Sequence, residues 1–468
     1  MAEREVLGER RMSDAEALMW NLEKDPHLSS TFANVTVLDR PLDHGRFRKR
    51  MLRAVQVIPR LRQRVVAGFG RLAPPEWRDD PNFDIDFHVR RMALPTGSTI
   101  RDLFDFATRF AHDPFDRTRP LWEFVVVEGL PDGQAALVQK MHHTITDGVG
   151  GVRMSEQFID LAPEGPDPED PPPQTDQRTP PPSDDLLSTL TDTATHALRR
   201  GAGIAVRTAR NGADLAIHPD KWPTFAFEGV ETARSIARQV AVADPAHSPL
   251  WRNRTLGRHF DVLHVPFDDA KRAAKALGGS INDFFVTGAA RGAGAYHQAK
   301  GETVAELRMA MPVSTRSDRS AGGNAFAPSR LLVPAAVDDP AEHFAAVRER
   351  LDETRRERAL ALVSGLAGAL NVLPTSVLVR VTRRQVETVD FTTSNVKGAP
   401  IPLYIAGAKI EANYPMGPLA GTAFNLTLLS YGGNLNMGLV TDTGAVDDPE
   451  LLRRSISVAY EELLAAGA

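Results

Sequence analysis

The sequence predicts an α+β protein built as two halves, and three observations carry that prediction. Helical and strand patterns mix along the 468 residues without the strict strand–helix–strand rhythm of a doubly wound sheet. The length exceeds what a single hydrophobic core usually serves. Residues 163–185, PEGPDPEDPPPQTDQRTPPPSDD, are proline-rich and acidic, bury almost nothing, and read as an extended, solvated linker. The partition that follows is residues 1–185 for the first half, 186–250 for an alanine- and arginine-rich helical connector, and 251–468 for the second half. No internal sequence repeat relates the two.

The elements follow in order. Ser13 to Glu23 reads as a short helix capped by Ser13 or Asp14, and Thr31 to Leu38 as a strand. Asp43 opens a helical pattern that stops at Pro59. Phe83, Ile85, Phe87 and Val89 alternate with polar residues, the pattern of a half-buried strand. Ser98 to His112 returns to helical spacing. Leu121–Glu128 and Ala135–His143, joined by the turn Pro131-Asp132-Gly133, form a hairpin. After Gly148 the spacing of Val152, Phe158, Ile159 and Leu161 predicts a helix. In the second half, strands are expected near 262–265, 307–313, 324–333, 406–413, 425–429 and 435–439, with helices over 268–277, 280–297, 338–357 and 449–465.

Composition excludes several functions. An apolar share of 42% with 25% charged residues is that of an ordinary globular protein. A net charge of −5 leaves no electrostatic footprint for nucleic acid. The absence of cysteine removes disulfides, thiolate zinc sites and a cysteine nucleophile, and fits a reducing compartment. No apolar run approaches the roughly 18 residues that span a bilayer, and MAEREVLGERRMSDAEALMW lacks the apolar core of a signal peptide. The expected location is the cytosol, with contact at a membrane surface left open. The basic stretch Arg199 to Arg210 could lie on an anionic membrane or pack as a connector helix.

The chemistry concentrates in His142-His143-Thr144-Ile145-Thr146-Asp147-Gly148, which reads HHxxxDG. Histidine titrates near neutral pH and is the side chain best suited to take a proton from an alcohol. Neighbours on a strand point to opposite faces, so only one of His142 and His143 can face a given cavity. That divergence argues against a shared metal ion. Asp147, just ahead of a helical pattern, suits a helix cap or a salt bridge that shapes the loop. Gly148 allows a close approach that a side chain would block. In an alternative register His142 and Asp147 form H-x₄-D, with His142 as the base.

Two further constellations stand out. Gly278-Gly279-Ser280-Ile281-Asn282-Asp283 reads either as a helix start, with Ser280 and Asp283 in a capping box, or as a source of an oxyanion donor in Asn282. Arg119-Pro120-Leu121-Trp122-Glu123 reads as a rigid strand entry with a buried tryptophan. With neither a GxSxG elbow nor a cysteine, direct transfer between two substrates is the economical mechanism.

HHTITDG, RPLWE and GGSINDFF together resemble the bacterial wax ester synthase/acyl-CoA:diacylglycerol acyltransferase family. WRDDPNFDIDFHVRRMALP, TTSNVKGAP, YIAGAKIEANYPMGPL and FNLTLLSYGGNLNMGLVTD extend the resemblance over nearly the whole chain. The resemblance implies two chloramphenicol-acetyltransferase-like halves around a central tunnel, with His143 as general base. It implies acyl-CoA and a diacylglycerol or long-chain alcohol as substrates, no metal or bound cofactor, and contact with membrane or lipid droplets. A more soluble alcohol acceptor and a non-catalytic acyl-chain binder are the alternatives. Members usually carry SNVPGP where this chain has Ser394-Asn395-Val396-Lys397-Gly398-Ala399-Pro400, so Lys397 marks a departure in that loop.

Overall fold

The computed structural model describes residues 11–67, 74–146, 151, 154–165, 246–314, 326–356 and 375–468. Asp147, Gly148, most of the proline-rich linker and the connector up to residue 245 lie outside the described residues.

The first half opens with α1 (Asp14–Leu22), closed at its N-terminus by a Ser13/Glu16 capping box. β1 (Thr31–Leu38) and α2 (His44–Val57) follow. A small two-stranded ribbon of β2 (Gln63–Val66) and β3 (Glu76–Asp79) then leads to α3 (Ile85–His88) and β4 (Val89–Ala93). After α4 (Ile100–His112) come β5 (Trp122–Glu128), β6 (Ala135–His142) and the two-residue β7 (Ile159–Asp160).

In the second half β8 (Arg258–Pro266) is followed by α5 (Phe267–Ala276), α6 (Ile281–Ala299), β9 (Glu306–Ser314) and β10 (Phe326–Pro334). Then come α7 (Pro340–Arg356), α8 (Thr375–Val386) and β11 (Phe391–Val396). The chain ends with β12 (Tyr404–Ile405), β13 (Ala408–Met416), β14 (Phe424–Tyr431), β15 (Asn434–Asp442) and α9 (Pro449–Ala466).

The strands form two large mixed sheets. One runs β4-β5-β6-β1-β13-β12-β7 and the other β10-β9-β11-β14-β15-β8. The first sheet therefore takes β12 and β13 from the far end of the chain. β13 pairs antiparallel with β1 from Ala33↔Met416 to Leu38↔Ile410. This exchange ties the two halves together by backbone hydrogen bonds.

Two expected elements differ. Residues 83–89 fold as a helical turn followed by a strand, because Asp84 caps the turn by accepting from the Asp86 amide at 3.0 Å. Phe83 and Phe87 then flank the His88 ring, each with centroids 5.2 Å away. Ile159–Asp160 is a strand paired with Tyr404–Ile405 rather than part of a helix. Asp160 is buried there against Arg46 and Arg50, at 3.3 and 2.5 Å.

Both faces of β5 and β6 are covered, so their sequences read as continuous apolar runs. Trp122, Phe124, Val126, Leu137 and Met141 pack toward α2, whereas Val125, Val127, Ala136 and Val138 pack toward α4 and Phe260. The second sheet is cored by Phe284, Phe285, Phe391, Phe424 and Tyr460 beneath α6, α7 and α9. Among the described residues no helix is long and apolar enough to cross a membrane.

Candidate active site

The alternation of β6 decides which histidine meets solvent. Gln139, Met141 and His143 share one face and line a cavity of about 490 Å³ between the two sheets. Met19, Phe32, Met154, Ile159, Met311 and Leu429 make most of its wall apolar. The His143 ring lies 4.6 Å from the Phe32 ring, and its amide donates to the Ser30 carbonyl at 3.1 Å.

His142 faces the other way and is buried. Its Nδ1 accepts from the Thr144 amide at 3.1 Å, which puts the ring proton on Nε2, 3.0 Å from the Glu23 carboxylate. Thr144 Oγ1 lies 2.8 Å from the same Nδ1. Both nitrogens are thereby occupied, which leaves no lone pair for an alcohol. The H-x₄-D register requires the histidine that this geometry engages elsewhere.

Glu23 was not legible as a site residue. It follows α1 and draws together the Ser29 hydroxyl at 2.6 Å, the Ser30 amide at 2.7 Å and His142. Burial by itself raises its carboxyl, but the hydrogen bond and field of His142, with Ser29 and Ser30, outweigh that and hold it below the ordinary value. Because Ser30 also receives the His143 amide, Glu23 fixes both histidines through one short segment. A carboxylate at the end of a helical pattern gives no sequence signal for this.

Pro120, Leu121 and Trp122 support the motif from behind. The Leu121 carbonyl accepts the His142 amide at 3.1 Å, and Trp122 pairs with Met141 across the ladder. The Trp122 indole is fully buried, donates to the Leu61 carbonyl at 2.8 Å and stacks on His88 at 4.6 Å. His88 in turn sits 2.6 Å from the Trp122 carbonyl, and burial pushes its pKa down to about 4.

The Gly-Gly-Ser-Ile-Asn-Asp stretch divides. Ser280 and Asp283 form the capping box of α6, and Asp283 is buried with its other oxygen 3.0 Å from Arg355. Asn282 does not line the His143 cavity. It borders a second cavity of about 300 Å³ with Phe285, Met311, Pro312, Thr393, Asn395 and Lys397. Met311, Pro312, Thr393 and Asn395 border both cavities. The Asn395 amide donates to Asn282 Oδ1 at 3.2 Å.

Among the described residues, Ser248 Oγ and His297 Nε2 form a serine–histidine pair at 2.7 Å. Both are fully buried, and Ser248 Oγ also accepts the Trp251 amide at 3.1 Å. That pair holds a turn and has no access to a substrate.

Comparison with known proteins identifies the family of the chain. The wax ester synthase/diacylglycerol acyltransferase catalytic domain matches residues 12–285, and the C-terminal domain of the same family matches residues 322–464. A Mycobacterium tuberculosis protein named as a diacylglycerol O-acyltransferase is 35% identical over 463 residues, covering 97% of this chain and 92% of that one. The structure of the wax ester synthase/diacylglycerol acyltransferase from Marinobacter aquaeolei VT8 superposes with a TM-score of 0.63 at 22% identity, covering 98% of this chain and all (100%) of that one. The first condensation domain of the CDA synthetase shares the fold, with a TM-score of 0.58 at 16% identity and coverage of 99% and 98%. On the matched catalytic and C-terminal domains and the identity along its length, this chain belongs to the wax ester synthase/diacylglycerol acyltransferase family.

Proposed function

We propose that the protein transfers a long-chain acyl group from acyl-CoA to the hydroxyl of a diacylglycerol or a long-chain alcohol, with His143 as general base. The observation that carries this reading is His143 on the wall of a largely apolar inter-sheet cavity while His142 is tied to Glu23. The imidazole of His143 takes the hydroxyl proton as the oxygen attacks the thioester carbonyl. The tetrahedral intermediate collapses, the C–S bond breaks, and the departing thiolate takes the proton to leave free CoA and an ester. A positioned base contributes about 10²–10⁴ in rate, and alignment of two substrates in one cavity supplies much of the rest. A diacylglycerol or fatty alcohol is held in a lipid phase, so the protein meets its acceptor at a membrane or droplet surface.

The test is purified protein with palmitoyl-CoA and, in competition, dioleoylglycerol, hexadecanol and short alcohols. Release of free CoA with formation of triacylglycerol or wax ester is expected. Bound palmitoyl-CoA with no release on any alcohol would make the protein an acyl-chain binder, and preference for a short alcohol would move the acceptor to a soluble one.

A further inference from the structure

The two adjoining cavities differ in chemistry. The one that holds His143 exposes mostly apolar surface, although Asn34, Gln139, Asn413 and Asn425 also line it, whereas the smaller one exposes more polar than apolar surface. The smaller one is lined by Asn282 and Asn395, by Thr393, whose hydroxyl donates to Met309 Sδ at 3.2 Å, and by Lys397. Thr393 and Asn395 alternate along one face of β11, and Lys397 continues that parity just past the strand. Lys397 is exposed, and no carboxylate among the described residues pairs with it. Asp283, the acid nearest in sequence to Asn282, is committed to its cap and to Arg355. The Gly398 amide donates to Ser430 Oγ at 3.2 Å, and a side chain at Gly398 would overlap the Ser430 carbonyl, so the loop that carries Lys397 is pinned.

An acyl-CoA has the same division: an apolar chain, then an arm with two amides, then phosphates. We infer that the smaller cavity receives the amide-bearing arm of the thioester donor and that Lys397 binds its phosphates, with the acyl chain in the larger cavity. Asn395 donates to Asn282 and keeps its own Oδ1 as an acceptor, while the Asn282 amide nitrogen remains a donor, so the pair can answer both halves of an amide group. The ammonium is a point charge on a flexible stem at the cavity's edge, suited to a mobile phosphate. This assignment rests on the acyl-CoA reading above and makes Lys397 a determinant of donor affinity.

The experiment compares wild type, Lys397→Glu, Lys397→Ala and Lys397→Arg on palmitoyl-CoA and on palmitoyl-pantetheine, which lacks phosphate. Binding of free CoA is measured alongside by calorimetry. Lys397→Glu should raise KM for palmitoyl-CoA about tenfold or more with the change confined to KM, Lys397→Ala somewhat less, and Lys397→Arg should restore it. KM for palmitoyl-pantetheine should move less than about twofold, and free CoA should bind the Glu variant about tenfold more weakly. Equal shifts on both thioesters, or none on either, would overturn the inference while leaving the enzyme's activity intact. A wild-type protein that transfers no acyl group would overturn the reading beneath it. In that case CoA binding that is absent, or unchanged by Lys397→Glu, overturns the inference as well.

Discussion

Glu23 shows how a residue outside the motif governs it. Its carboxylate lies low relative to an ordinary glutamate because His142, Ser29 and Ser30 favour the charged form more than burial opposes it. A depressed carboxyl adds stability that is present above the unfolded value and is lost as pH falls through the folded one. Replacing Glu23 by Gln should cost about 1–3 kcal/mol at neutral pH by leaving buried donors ill-matched. The gap between wild type and Glu23→Gln in urea melts should shrink as pH drops below 4.5, the ordinary glutamate value. A gap that widened toward acid would contradict the assignment. Trp122 is the other residue whose loss should be large: Trp122→Ala is expected to cost about 3–5 kcal/mol, read as a lower denaturation midpoint. What was legible at this scale was the pair itself. The divergence of neighbours on a strand separated His142 from His143, and the apolar tryptophan after a proline announced a buried strand entry. Glu23 was not legible, because its partners arrive through the fold.

At the scale of elements, capping chemistry and period were good guides and local ambiguity marked the failures. The strand Thr31–Leu38 was readable from its alternation although burial is unbroken from Val35 to Leu38, and the helix from Pro449 because the Asp448 cap and its apolar period agree. Residues 83–89 misled because aromatic residues at every second position also suit a turn of helix that clasps His88. Ile159–Asp160 misled because a two-residue strand depends wholly on its distant partner. Contact between the sheets turns on a glycine. A Cβ at Gly438 in β15 would overlap the Pro415 carbonyl of β13, so the close approach of the two strands there depends on the missing side chain. Gly438→Ala should destabilise by about 2–3 kcal/mol and disturb the cavity wall at Pro415. Thermal melts together with KM for the acyl donor would check it, and an unchanged melt would contradict the close approach.

At the scale of the whole molecule, the division at the proline-rich segment follows composition, while the backbone follows another logic. β12 and β13 belong to the end of the chain yet complete the sheet that carries His143. A fragment of residues 1–185 should therefore lack a cooperative unfolding transition and regain it when co-expressed with residues 186–468. Circular dichroism melts of the fragment alone and of the co-purified pair would show this, and a cooperative transition in the lone fragment would contradict it. The sequence conveyed the class of fold because both halves mix helices and strands. It could not convey the exchange, which depends on pairing between residues nearly four hundred positions apart, as at Ala33↔Met416. The cavity is a product of that same exchange, since β1, β6 and β13 all contribute to its wall. The proposed division of labour gives the proton transfer to His143 and a structural role to His142. It is tested most directly by single-turnover release of CoA from palmitoyl-CoA and an alcohol by His143→Ala and His142→Ala. A loss of about 10²–10⁴ in rate is expected for His143→Ala with an unchanged melt, and a lowered melting temperature for His142→Ala. Full activity in His143→Ala beside a folded, inactive His142→Ala would contradict it.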